Sequence, residues 1–326
     1  MAEPEIPAAI REAAAARALA RAARDWPTAD RLRGEIEAAG WKVIDGGLDW
    51  RLEPAHPADL LEHGFTRYGR SERVPSRLGE PDQGPATLLV VAREDPAGSV
   101  RAVRSGLAMA PPGVDAVVVL DGLSPAAAAE ARASAMDAAR AAAFGAEIEV
   151  VETGAALGQG AAWNIGLRRS TGRVVVLLDA SVEASGDLVG PVVAALDDPR
   201  VAVAGPLGLA SADLRHFEET ATGPAAAVEA YVMGFRRADA AERGPVDEGF
   251  RFYRNLDIWW SLVLRDAGRG QPPREARVLP GVAIRRHEHV AWSSVEPAER
   301  ERLSRRNFYR VLDRFRDRLD LAVPPG

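Results

Sequence analysis

The stretch Thr171-Gly172-Arg173-Val174-Val175-Val176-Leu177-Leu178-Asp179-Ala180-Ser181-Val182-Glu183 decides the fold. Its Val/Leu run is short, unbroken by polar residues and followed at once by a carboxylate, which reads as a strand covered on both faces. Similar short runs rich in Val, Leu and Ala recur at 86–92, 116–120, 148–151 and 201–204, and the run quoted above spans 173–178. Helical stretches at 99–110, 125–144, 160–169 and 188–196 separate the strands. Apolar strands alternating with helices predict an α/β fold, Rossmann-like, with a mostly parallel sheet and helices on both faces. Ligands of such sheets gather beyond the carboxyl ends of the strands, so the residues that follow each strand are the candidates for function.

Three strands run into polar groups: Arg93-Glu94-Asp95, Asp121-Gly122 and Asp179-Ala180-Ser181. A single strand-end aspartate is often a turn residue or a helix cap. Two successive ones on one sheet edge suit a ribose, a nucleobase N–H or a divalent cation. Gly158-Gln159-Gly160, with Asp179 further on, approaches the dinucleotide fingerprint. However, Trp163 stands where that motif needs its third glycine, and the loop after Val151 is too long for its tight turn.

Four segments, in order, resemble the inverting family 2 glycosyltransferases of GT-A fold, over residues 86 to about 320. Val118-Val119-Leu120-Asp121-Gly122-Leu123-Ser124 is similar to the family's V-V-D-D-G-S segment, and Gly158 through Asn164-Ile165-Gly166-Leu167 to its G-x-a-x-A-R-N-x-G-l. Residues 171–183 resemble a-x-G-x-x-v-x-f-L-D-x-D-x-E, and Pro245 through Ile258 resembles G-F-D-E-x-F-f-f-Y-x-E-D-v. The resemblance implies a nucleotide-sugar donor held by Glu94, Asp121, Asn164, Asp179 and Ser181, and an acceptor hydroxyl deprotonated by Asp257. The plainer reading of Asp257 is a residue flanking the helix that carries Ile258, Trp259, Leu262 and Val263. Asp179 with His287 would be the metal ligands, for Mn or Mg; on a strand, His287 and His289 would share a face. The chain departs from the family at several of these positions. Ser181 replaces the main metal-binding carboxylate, Trp163 replaces an arginine, Leu256 replaces a glutamate, and Ala92-Arg93-Glu94 replaces the usual end of the first strand. These departures admit an alternative function, a catalytically degenerate module that binds nucleotide sugar or carbohydrate.

Residues 1–53 read as a small helix–helix–hairpin module. A first helix over 8–24 precedes a second that starts after Asp25-Trp26-Pro27, and Asp45-Gly46-Gly47 forms the turn between two strands. Residues 10–53, including Arg21 through Asp45, resemble the extreme C-terminal piece of cysteinyl-tRNA synthetases. That resemblance implies a packing or docking role, or an RNA-linked accessory role with tRNA as partner. Residues 54–85, punctuated by Pro54, Pro57, Pro75, Pro81 and Pro85, are expected to be a linker to a domain spanning 86–326. A last amphipathic helix is expected over 297–319.

The chain has 326 residues, a net charge of −6 and no cysteine, and Lys42 is its only lysine. Disulfides, thiol nucleophiles and cysteine-ligated metals are thereby excluded. The acidic balance argues against a protein that coats nucleic acid throughout. No apolar run reaches the length of a membrane span, and the start, with Glu3 and Glu5, lacks a cationic leader pattern. A cytoplasmic location is the expectation.

Overall fold

The computed structural model describes residues 6–46, 49–62, 64–142 and 144–326. Glu3 and Glu5 of the leader reading, Gly47 of the hairpin turn and Ala143 of the expected 125–144 helix lie outside the described residues.

Arg24, in the left-handed conformation, follows the end of the first helix, and Asp25 caps the second. Its side chain accepts from Thr28 N at 3.2 Å, and Pro27 sits in the first turn, where a missing N–H costs nothing. Helices α1 (Ala8–Ala22) and α2 (Trp26–Ala38) then pack on the antiparallel hairpin of β1 (Trp41–Gly46) and β2 (Asp49–Pro54). Ala14, Ile36 and Trp41 form the core of this unit, and Arg17 grips Asp45 through two bonds of 2.9 and 3.1 Å.

Residues 54–85, expected as a linker, supply two strands at the edge of the main sheet, β3 (Leu60–Glu62) and β4 (Phe65–Tyr68). Prolines flank these strands and do not interrupt them, which an edge tolerates. The buried Arg67 anchors the segment: it donates to the Leu123 carbonyl and lies 3.6 Å from the buried Glu152.

The sheet continues with β5 (Gly84–Ala92), β6 (Asp115–Leu120), β7 (Ile148–Thr153) and β8 (Gly172–Leu178), all parallel. Their crossovers are α3 (Pro96–Met109), α4 (Pro125–Ala141) and α5 (Gln159–Arg169). After the short β9 (Val182–Ala184) and α6 (Val189–Ala195), β10 (Val201–Gly205) rejoins the sheet. A small antiparallel sheet follows, of β11 (Gly208–Ala210), β12 (Glu218–Thr220) and β14 (Ala227–Val228), while β13 (Gly223–Ala225) extends the main sheet. Strand β15 (Val232–Arg236) then runs antiparallel between β8 and β10. Gly234 in this strand admits Val192 of α6, since a Cβ there would lie 2.0 Å from its Cγ1.

Helices α7 (Arg237–Arg243) and α8 (Leu256–Arg265) precede β16 (Glu275–Val278), β17 (Ile284–Arg286), the short α9 (Val290–Ser293) and α10 (Pro297–Phe315). The mostly parallel ten-stranded sheet has the order β13-β16-β10-β15-β8-β5-β6-β7-β4-β3. Alternation along β5 shows its two covered faces. Leu88 and Val90 join a core with α3, α4 and α6, whereas Leu89 joins Trp163, Phe235 and Trp260 on the other side. Among the described residues no helix is long and apolar enough to cross a membrane.

The cluster around Ile36 is separate from the cores of the sheet. Ile36→Ala is therefore expected to cost about 2–4 kcal/mol within residues 6–55 alone. Thermal unfolding should show an early transition assignable to this unit, with the main transition unmoved; a single transition shifted as a whole would contradict this.

Candidate active site

Strands β5 and β8 end side by side, and the residues that follow them open into one cleft. Glu94 and Asp95 line it from β5, Asp179 and Ser181 from β8. Leu89, Leu177 and Trp163 form its floor. The opposite wall comes from Tyr253, Asp257 and the start of α9, with His289. Sequence reading thus placed Glu94, Asp179, Ser181 and Asp257, and the structure brings these four to a single cleft. Trp163, at the position that breaks the dinucleotide fingerprint, is a buried floor residue.

Asp121 and Asn164 stand behind the cleft rather than in it. Asp121 is fully buried, and its carboxylate accepts from Thr153 Oγ1 at 3.0 Å, Leu157 N at 2.7 Å and Gly158 N at 3.0 Å. Arg93 Nη1 approaches it at 3.4 Å. A carboxylate so fully satisfied holds the loop between β7 and α5 in shape. Gly122 permits the close pass of that loop: its φ is +72°, and a Cβ there would meet Ala156 N at 2.4 Å. Asn164 bonds Val246 O at 2.9 Å, Val246 N at 2.8 Å and Glu248 Oε1 at 2.8 Å, tying α5 to the segment that leads into α8. Asn307 of α10 holds the same segment from the other side, through Phe252 O at 2.7 Å and Arg254 O at 2.8 Å. Sequence reading did not single out Asn307, although an asparagine on an otherwise amphipathic helix face is a signal for a buried amide.

Asp179 Oδ1 accepts from the backbone N–H of Ser181 at 2.8 Å and from its hydroxyl, and Oδ2 lies 3.5 Å from His289 Nε2. Burial works to raise the Asp179 carboxyl, but the bonds from His289 and Ser181 prevail and hold it below the ordinary carboxylate range. His289 answers in kind: burial opposes its charge, and Asp179 outweighs burial and raises the imidazole. The ring is stacked on Tyr253, with centroids 4.4 Å apart, and meets Tyr231 edge-on at 6.0 Å.

The expected partner of Asp179 was His287, and the structure puts His289 there instead. Strand β17 ends at Arg286, so His287 and His289 do not project from one strand face. His287 N donates to Ser181 O at 2.7 Å, and the imidazole turns to Glu183 at 2.7 Å, outside the cleft. His289 precedes α9 as its N-cap residue and swings inward.

Asp257 occupies the first turn of α8 and is not the cap; Asn255 is, in a left-handed conformation with φ 65°. Asp257 Oδ1 accepts from Ile258 N at 2.9 Å and Oδ2 from Ala230 N at 3.3 Å. Burial pushes its carboxyl above the ordinary value, against those bonds and the charge of Arg254. A carboxylate destabilised in this way is a stronger base than one in water.

A divalent cation needs several oxygen or nitrogen donors. Among the described residues no group of three His, Asp or Glu side chains converges. Asp179 Oδ2 and His289 Nε2 are the two donors that face one another in the cleft, and Ser181 adds a neutral hydroxyl that is already engaged by Asp179. They fit a cation only as a two-ligand set, with the remaining positions left to a bound anion and water.

Comparisons with known proteins agree with this architecture. Residues 94–244 match the model of glycosyl transferase family 2. The fold is similar to a crystal structure of GalNAc-T7 with UDP, GalNAc and Mn2+, with a TM-score of 0.52 and 15% identity, over 72% of this chain and 48% of that one. A segment of 54 residues is 44% identical to a cysteine–tRNA ligase of Caulobacter vibrioides, and one of 51 residues is 47% identical to that of Opitutus terrae. These segments are 16% of this chain and span only 12% and 11% of the two ligases. Residues 94–244 are thus similar to glycosyl transferase family 2, and the fold around them is similar to that of GalNAc-T7.

Proposed function

We propose that the protein transfers a sugar from a nucleoside-diphosphate sugar to an acceptor hydroxyl, with inversion at the anomeric carbon. The observation that carries this reading is the position of Asp257, a buried carboxylate of raised pKa, on the same cleft as Glu94, Asp179 and Ser181. Asp257 would take the proton of the acceptor hydroxyl as its oxygen attacks. The nucleoside diphosphate would depart from the opposite face, toward the strand ends. Glu94, Asp179 and Ser181 would contact the donor. Asp121 and Asn164 would serve it indirectly, by fixing the loops on either side of Trp163.

A diphosphate leaving group gathers negative charge, which the site must neutralise. Asp179 and His289 would hold a divalent cation, and bound there it would supply that neutralisation. Arg101, which donates to Ala180 O at 3.1 Å beside Asp179, would add to it.

Asp257→Asn tests the base. Turnover should fall by at least about a thousandfold, with nucleoside diphosphate affinity unchanged and thermal stability equal or higher, because the variant removes a buried charge. Retained turnover would overturn the assignment. The pH profile of kcat/KM should show an acid limb above the ordinary aspartate range: the raised carboxyl must lose its proton to act, so activity is gained as pH rises through that value.

The two histidines separate the cation sites. His289→Ala should abolish any enhancement of UDP or GDP binding by Mn2+, read by calorimetry, and His287→Ala should leave it intact. The reverse outcome would return the site to His287.

A further inference from the structure

Three arginines, near cleft residues in the chain or through stacking, each rest on an aromatic face rather than on a carboxylate. Arg254 lies over Trp292 at 5.4 Å, Arg300 over the same ring at 4.5 Å, and Arg286 over Tyr231 at 5.0 Å. Among the described residues none of the three has an acidic side chain within ion-pair distance. Their neighbours do: Arg285 meets Glu183 at 3.6 Å, Arg302 meets Glu299 at 2.6 Å, and Arg305 meets Glu301. An aromatic face orients a guanidinium through its π cloud and leaves the N–H fork free for a planar anion.

Each of these groups is chained to a residue of the cleft. Arg254 follows Tyr253, Trp292 follows Ala291, and Tyr231 follows Ala230, all three predecessors being cleft-lining. Arg300 is further fixed by a bond to the Trp292 carbonyl at 3.2 Å.

Glu229 is an acid that feels both Arg286 and Arg254. Burial pushes it up to about 7, the Asp257 charge adds to the rise, and Arg286 and Arg254 oppose it. The burial of Glu229 thus works against its serving as a full counter-charge to these guanidinium groups.

We propose that this group forms an acceptor subsite of the cleft for a sugar or polyol bearing an anionic group, phosphate or carboxylate, which Arg254 and Arg286 grip while its hydroxyl faces Asp257. Arg300 and Trp292 hold Arg254 in place. The proposal rests on the reading of Asp257 as the base of a glycosyl transfer, and it names the chemical class of the acceptor. A bidentate guanidinium contact discriminates an anion from a neutral sugar of the same shape.

The test is a calorimetric titration of glucose, glucose 6-phosphate and glucuronate into the full chain, with and without saturating UDP or GDP. The anionic sugars are expected to bind at least about tenfold more tightly than glucose, and the stronger of the two identifies phosphate or carboxylate as the group recognised. Arg254→Gln and Arg286→Gln should remove that preference, while Arg302→Gln, on the surface and paired to Glu299, should keep it. Equal affinity for all three sugars, or binding of none, overturns the proposal. So does an Arg254→Gln variant that loses UDP or GDP affinity and keeps the preference, since the arginine would then serve the donor. Failure of UDP and GDP to bind, with the anion preference present, counts against the donor reading and leaves the acceptor subsite standing.

Discussion

Asp179 and Asp257 reach the cleft from different layers, one from the end of a parallel strand and the other from a helix packed beneath the sheet. The amide of Asn164 joins those layers. Its three bonds to Val246 and Glu248 pin the segment before α8 against α5, and Gly160 allows the approach, because a Cβ there would stand 2.5 Å from Asp247 O. Gly160 N and Gln159 N then donate to Phe250 O and Arg251 O, at 2.9 and 3.1 Å. Asn307 closes the grip from α10. With both ends fixed, α8 begins at Leu256, and the carboxylate one residue later faces the strand ends. A buried amide suits this work better than a charge, since it offers donor and acceptor together without a desolvated ion.

The parallel heart of the sheet was legible because its strands are continuous Val/Leu runs, a pattern that only burial on both faces tolerates. Strand β15 was not. Val232–Arg236 is short and contains Gly234, and its antiparallel sense depends on what lies either side of it. Strands β3 and β4 were hidden by flanking prolines, which mark loops and edges alike. At the site, the residues directly after β5 and β8 were found by rule, since the carboxyl ends of parallel strands share one edge. Asp121 obeyed the same rule and met a different outcome. The loop from Thr153 to Gly158 folds back over Gly122 and consumes its carboxylate, a long-range contact that no local pattern carries. His287 and His289 were exchanged because strand β17 stops at Arg286, and the i, i+2 rule lapses where the strand ends.

Charge in the cleft is distributed in two arrangements, each arising from burial. At the strand ends, bonds from His289 and Ser181 outweigh burial and hold the Asp179 carboxyl low, and Asp179 in turn raises the buried His289 imidazole. Across the cleft, Asp257 has backbone N–H donors and the charge of Arg254 but no side-chain donor bonded to it among the described residues, so burial prevails and the carboxyl is raised. One residue type therefore sits in one cavity in opposite states, anion-holding on one side and proton-seeking on the other, through the number and kind of donors that reach it. Substituting serine for a second acid at position 181 fits this division. A carboxylate there would add charge beside Asp179, whereas the hydroxyl donates to Asp179. Away from these carboxylates, the guanidinium groups of Arg254 and Arg286 rest on Trp292 and Tyr231 instead.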